Sequence, residues 1–265
     1  MKYLIYSCLL LGWGGEPLWA QTAHWEKALQ KFYADFEPPG RRAAIYKNLR
    51  KEAYPTLRFI CPEDSLFLPE QPLAQIALIR HGQPRVSKTG RFSRRRAQQY
   101  IQWYDKVGVY GFKKKPFALS AAERAQTALY YSPLPRAQHT AEILFDSLSD
   151  ARADSQFVEF ARKIAHLPDF KYRLTTWLLF SRVFWLMGLN DRGIESFREA
   201  RQRARAGAEF LHQASLPNER TVLVAHGFLN RYLRLYLVRK GWTLVRKAGS
   251  EYLGVNILVK LAREE

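Results

Sequence analysis

Hydrophobic positions change rhythm near residue 73. Upstream, Trp25, Leu29, Phe32 and Phe36 recur among polar residues at helical spacing, which predicts an amphipathic helix. A Pro-Pro-Gly break at 38–40 and a second helical stretch to Tyr54 follow. A proline-rich connection then runs from Cys61 to Pro72. Downstream the apolar residues come in short runs of strand type: "AQIALI" (74–79), "TALYY" (127–131), "QFVEF" (156–160), "RTVLVA" (220–225) and a last "LGVNILVKL" (253–261). Helical patterns are set between them. After Pro135, Ala137, Ala141, Ile143, Leu144 and Phe145 mark one helix. After His226, Leu229, Tyr232, Leu233, Tyr236 and Leu237 mark another, with Arg231 and Arg234 expected off its apolar face. Strands alternating with helices predict an α/β layered domain with a largely parallel central sheet, preceded by an N-terminal helical extension.

Two of these runs end in the same way. "IALIRHGQP" stops at Arg80, His81 and Gly82, and "TVLVAHGFL" stops at His226 and Gly227. In open α/β sheets, sites form beyond the carboxyl ends of the strands. Both histidines fall there by sequence alone.

Between them stand "SPLPRAQHTAEIL" (132–144) and "FVEFARK" (157–163). With Arg-His-Gly at one strand end, Ser-Pro-Leu-x-Arg-Ala-x-x-Thr-Ala in the middle and Ala-His-Gly late, the chain resembles the histidine phosphatase superfamily, in its phosphoglycerate-mutase-like branch. The likeness covers roughly residues 74–262. It implies a three-layer αβα sandwich over residues 73–265, with a helical lid around 170–195. It also implies a phosphomonoesterase that works through phosphohistidine. His81 would be the phosphorylated nucleophile, and Arg80, Arg136 and His226 would complete the phosphate pocket.

Elementary chemistry agrees with those roles. Phosphoryl transfer needs an in-line nucleophile and positive charge around the equatorial oxygens. Imidazole attacks only when neutral, and neighbouring arginines disfavour its cation. Arg80 and Arg136 each offer a planar fork of donors to phosphate. Gly82 is expected to let backbone approach the phosphate. The leaving oxygen needs a proton, which the family takes from an acidic residue after the second motif. Glu159 is the candidate here, with Asp154 and Glu142 as alternatives.

The chain also departs from the family pattern. "ARKIAHLPD" stands where Gly-x-Trp-Glu-Gly is common, and Gln83-Pro84 follows Arg-His-Gly in place of Glu-Ser or Glu-Thr. Ser87 falls near the usual phosphate-binding Asn. The long stretch from Arg91 to Glu123 is expected to shape the mouth of the site. Residues 174–189, "LTTWLLFSRVFWLMGL", are apolar nearly all round except for Arg182, as in a buried or lid helix, or one that meets a membrane or an apolar ester. Ser196 and Glu199 have the spacing of a capping box.

Charge narrows the partners. Lys and Arg number 42 against 24 Asp and Glu, a net charge of +18 on 265 residues. That favours an anionic phosphate ester, with an acidic membrane surface as a second partner; no specific nucleic-acid partner is expected. Residues 1–20 combine Lys2, the apolar "YLIYSCLLLGW" and Ala20, the form of a secretory signal peptide and so of export; a short buried or interfacial helix is the alternative. Cys8 lies inside that segment and Cys61 is then alone, so no internal disulfide is expected in a processed chain. The six histidines show no zinc-like spacing, and no Gly-rich nucleotide loop occurs, so neither metal nor cofactor is expected. Two other functions fit the same residues: a phosphomutase, and a non-catalytic protein that binds phosphate or polyanions.

Overall fold

The computed structural model describes residues 57–60, 73–86, 89–113, 115–247 and 251–261. The expected signal peptide, the helical extension up to residue 56, the connection 61–72 and Ser87 lie outside the described residues.

A six-stranded sheet organises the chain, in the order β4-β3-β6-β1-β8-β7. Its strands are β1 (Leu73–Arg80), β3 (Thr127–Tyr131), β4 (Ala151–Ala153), β6 (Arg220–Ala225), β7 (Thr243–Arg246) and β8 (Val255–Leu261). The first four named, β1, β3, β4 and β6, run parallel, and β8 and β7 add an antiparallel edge. A separate two-stranded piece pairs β2 (Arg91–Phe92) with β5 (Tyr172–Arg173). The helices are α1 (Arg94–Tyr104), α2 (Ala121–Ala125), α3 (Pro135–Phe145), α4 (Leu174–Leu186), α5 (Phe197–Asn218) and α6 (Gly227–Arg239).

The central strands are buried on both faces, which is why they read as continuous apolar runs. Ala77, Ile79, Val222 and Val224 meet Ala141 and Leu144 of α3 on one side. The alternate residues Ile76, Leu78 and Leu223 are fully buried toward the other side, where α5 and α6 pack together and against β1. The result is a three-layer αβα sandwich with mostly parallel strands, as the sequence pattern predicts. Ser196 and Glu199 do form a capping box at the start of α5.

Two expectations need correction. "QFVEF" is not a strand: Ser155–Phe157 forms a 3₁₀ turn, and no strand follows before Tyr172. The Arg203 guanidinium donates to the carbonyls of Gln156 and Val158 at 2.8 and 2.7 Å, taking acceptors that a ladder would have used. The outer neighbour of β3, on the side away from β6, is the short β4 just upstream of that segment. Arg234 is not off the apolar face of α6; it is 8% exposed and donates to the Asn256 side chain of β8 at 2.9 Å. Gly82 ties the His81 loop to α3. Its amide donates to Thr140 Oγ1 at 2.9 Å, and a Cβ there would meet Val109 and Leu253 at ordinary contact distance.

Candidate active site

Sheet register brings the two histidines together. Arg80 and Ala225 are directly paired as the last residues of β1 and β6. His81 donates its amide to the Ala225 carbonyl at 2.9 Å, and His226 lies one residue beyond. Their rings sit 5.2 Å apart between centroids, and both are buried. The next strand, β3, supplies Ser132, whose amide continues the ladder to Val224 and whose hydroxyl lies 2.8 Å from His226 Nε2. Pro135 then opens α3 in its first turn, and Arg136 follows at the strand-to-helix junction. Thr140, one turn later, receives the Gly82 amide and donates to the Arg136 carbonyl at 2.6 Å. The Ser and Thr of the middle motif thus tie its helix to the two histidine loops.

The His81 ring has one nitrogen committed. Nδ1 lies 2.7 Å from the Gly82 carbonyl, which can only accept, so Nδ1 carries the hydrogen and Nε2 the lone pair. Burial, followed by the Arg136 charge, holds the His81 pKa well below its ordinary value; Arg80 and Arg162 act in the same direction and the Gly82 hydrogen bond opposes them. His226 is lowered by burial first, then by Arg136, His81, Arg162 and Arg80. Burial thus contributes more than any single arginine to keeping both rings neutral.

Arg136 is fully buried. Its Nη1 donates to the Tyr104 carbonyl and to Asp105 Oδ1, at 3.1 and 2.9 Å. Its Nε and Nη2, and Nδ1 of His226, are buried and have no hydrogen-bond partner among the described residues. Buried donors of this kind cost free energy unless something accepts from them. Arg80 lies over the Tyr252 ring at 4.4 Å and crosses Gly227, where an added Cβ would come within 3.0 Å of its Nε. Gly227 is therefore needed for close approach.

Four contributors, Tyr252 among them, were not anticipated. Arg162 lies over the Tyr104 ring at 4.4 Å, and Arg136 lies 4.6 Å from the same ring. Asp105 bridges both guanidinium groups, reaching Arg162 Nη2 at 3.1 Å. Tyr104 and Asp105 come from the end of α1, so the long stretch after Arg91 does supply part of the site. Arg162 was within reach of sequence reading, three residues after Glu159; nothing local marks Tyr104, Asp105 or Tyr252.

The three candidate acids are separated by their surroundings. Glu159 reaches the start of α6, where its carboxylate accepts from the amides of Phe228 at 3.4 Å and Leu229 at 3.2 Å, one and two residues past Gly227. It also accepts from Phe160 N and lines a cleft of about 520 Å³ with Asp105, Arg162, Glu195 and Arg203. Asp154 spends both oxygens on Gln156 as the cap of the 3₁₀ turn. Glu142 is exposed on α3 beside Gln138. Glu195 pairs with Arg203 at 2.5 Å and so holds the far wall of the cleft. Arg182, half-buried beside Trp185 and Phe228 with its pKa pushed down to about 10 by desolvation, faces the Phe160 and Ala161 carbonyls.

A family model, the histidine phosphatase superfamily (branch 1), matches residues 76–262, well over half of the chain. The chain is a member of the histidine phosphatase superfamily. No curated protein matches the sequence. Solved structures with a similar fold include an open reading frame product of Mycobacterium tuberculosis, at 15% identity and TM-score 0.43, covering 71% of this chain and 94% of that one. A mycobacterial glucosyl-3-phosphoglycerate phosphatase shares 20% identity at TM-score 0.39, covering 63% and 80%. A phosphoserine phosphatase of Entamoeba histolytica, in complex with 3-phosphoglyceric acid, shares 15% at TM-score 0.38, covering 69% and 89%. As a histidine phosphatase superfamily member, the chain carries its Arg-His-Gly and Ala-His-Gly triplets at the ends of adjacent parallel strands. Among the described residues, no group of three or more His, Cys, Asp or Glu could hold a metal ion.

Proposed function

We propose that this protein is a metal-independent phosphomonoesterase that works through a phosphohistidine on His81. The observation that carries the reading is the committed Nδ1 of His81, which leaves the Nε2 lone pair beside buried, unpartnered donors of Arg136 and His226. In this reading Arg80, Arg136 and His226 take the non-bridging oxygens of the ester, and Arg162 adds charge behind them. With the Ser132 hydroxyl donating to His226 Nε2, His226 Nδ1 holds a hydrogen for a phosphate oxygen. His81 Nε2 attacks phosphorus as the ester P–O bond breaks. Protonated Glu159 gives its proton to the leaving oxygen, and the alcohol departs. The Glu159 carboxylate then takes a proton from water, whose oxygen attacks the phosphohistidine, releasing phosphate and restoring both residues. Its position on the cleft wall beside the start of α6 supports that role.

The test is turnover of a nitrophenyl phosphate by the purified protein in excess EDTA. Steady turnover is the expected result. Tight phosphate binding without turnover would replace the reading with a phosphate-binding protein. Return of the phosphoryl group to a second phosphate ester in place of water would replace it with a mutase.

A further inference from the structure

Helix α4 carries two apolar stripes on opposite sides. Leu174, Trp177, Ser181 and Trp185 are buried against the domain, at the three- and four-residue spacing of one helix face. About half a turn away, Leu179, Phe180, Val183 and Met187 form an exposed ridge. Phe170 and Tyr172 extend it before the helix, and Leu189 extends it after. Seven of the ten large apolar side chains exposed among the described residues thus fall within residues 170–189. Such a concentration marks an interaction surface, whereas scattered exposed apolar residues need no explanation.

The charges around the ridge say what it meets. Between Ala161 and Gly193 six arginines and lysines stand against two aspartates. Lys171 and Arg173 are exposed at the N-terminal end, with Arg91 paired across to Arg173 and exposed as well. At the other end Arg192 is exposed, and Lys163 reaches its carbonyl at 2.6 Å. Basic groups at both ends oppose self-pairing of this ridge: parallel or antiparallel, a second copy would set cation against cation, on molecules of charge +18. A helix of 13 residues is ~20 Å long, short of the ~30 Å hydrocarbon core, so it is too short to cross a bilayer. None of the helices among the described residues is long and apolar enough to span.

We propose that the exposed face of α4 docks the protein on an anionic lipid bilayer, with Leu179, Phe180, Val183 and Met187 in the interface and the flanking cations on lipid headgroups. The buried side of the same helix carries Arg182 and Trp185 against Ala161 and Arg162, at the rim of the cleft, so docking sets the cleft close to the lipid surface. Docking is independent of the phosphatase reading, and its test reads binding alone.

The experiment is flotation of the full chain with phosphatidylcholine vesicles, with and without about one-third phosphatidylserine. The wild-type chain is expected to float with the anionic vesicles and to be released by high salt. The double variant Leu179→Glu/Val183→Glu is expected to bind ~10-fold or more weakly, at an unchanged thermal midpoint. Absence of wild-type binding overturns the proposal. Equal binding of wild type and double variant overturns it too, since the apolar segment near the N-terminus or net charge would then be the anchor. So does a wild-type dimer that the double variant splits in sedimentation velocity, because the ridge would then be a self-association face. If the double variant fails to fold, Lys171→Gln/Arg173→Gln/Arg192→Gln decides: loss of the preference for anionic vesicles supports docking, and an unchanged preference overturns it.

Discussion

The two walls of the site are built by different means. The histidine wall hangs on the sheet: β1, β6 and β3 end in register, and His81, His226 and Ser132 follow from backbone pairing. The opposite wall, from Asp154 to Glu195, has almost no regular structure before α4. Single side chains hold it. Arg203 gathers two carbonyls and Glu195, Asn190 donates to the Lys163 carbonyl, and Trp185 donates to the Glu195 carbonyl. A ladder positions atoms through many shared bonds, so one substitution moves it little. A wall pinned by isolated side-chain bonds loses its shape when one pin goes.

The largest expected effect tests the histidine wall. His81→Ala should lower turnover by ~10⁴-fold or more, since the nucleophile and its intermediate are both lost. Rapid mixing with labelled substrate and an alkaline quench should leave base-stable, acid-labile label on the wild type and none on the variant. Equal labelling of the two would move the nucleophile elsewhere.

Next comes the irregular wall. Glu159→Gln keeps shape and removes the transferable proton. Alkyl phosphates, which leave as basic alkoxides, should slow by ~10²–10⁴-fold. Nitrophenyl phosphate, which leaves as a stable phenolate, should slow far less. A common factor for both substrates would make Glu159 a positioning residue at the start of α6.

Arg203→Ala sharpens the comparison without touching the proposed chemistry. It strands the carbonyls of Gln156 and Val158 and the Glu195 carboxylate, at an expected cost of about 3 kcal/mol in denaturant unfolding. Proteolysis should increase between residues 155 and 171, while β1, β3 and β6 keep their amide protection. Uniform loss of protection would show that the two walls are one cooperative unit.

The smallest effect concerns pH. Burial and arginines lower the pKa values of His81 and His226 in the folded protein. Below about 6.5 the unfolded chain binds protons that the folded chain refuses, so stability falls as pH drops through that value. Between pH 7 and 5.5 the two rings together should cost about 2 kcal/mol. The variant His81→Gln/His226→Asn should show a flatter stability profile over this window; an unchanged slope would assign the protons to other groups.

Legibility followed the same division. The strands β1, β3, β6 and β8 and the helices α3 and α6 were visible because burial on both faces leaves continuous apolar runs, and one-sided packing leaves helical spacing. The "QFVEF" segment misled for a physical reason: Phe157 and Phe160 are buried in a turn and an extended loop, and hydrophobicity alone does not reveal that Arg203 takes the carbonyls. Arg234 misled likewise, because its partner Asn256 comes from β8, an antiparallel strand later in the chain.

By itself the sequence determined the strand-end histidines, the arginine at the start of α3 and the layered α/β class. These depend on local order, an apolar run that ends in His-Gly or, before α3, in a short Ser-Pro-Leu-Pro link, and a parallel register then brings such ends side by side. Only the tertiary structure decided that Tyr104 and Asp105 gather Arg136 and Arg162, that Glu159 faces the cleft beside the start of α6, and that one side of α4 stays uncovered. Each of those depends on a bond or a missing contact between segments far apart in the chain, and periodicity carries no record of which distant residue will be there.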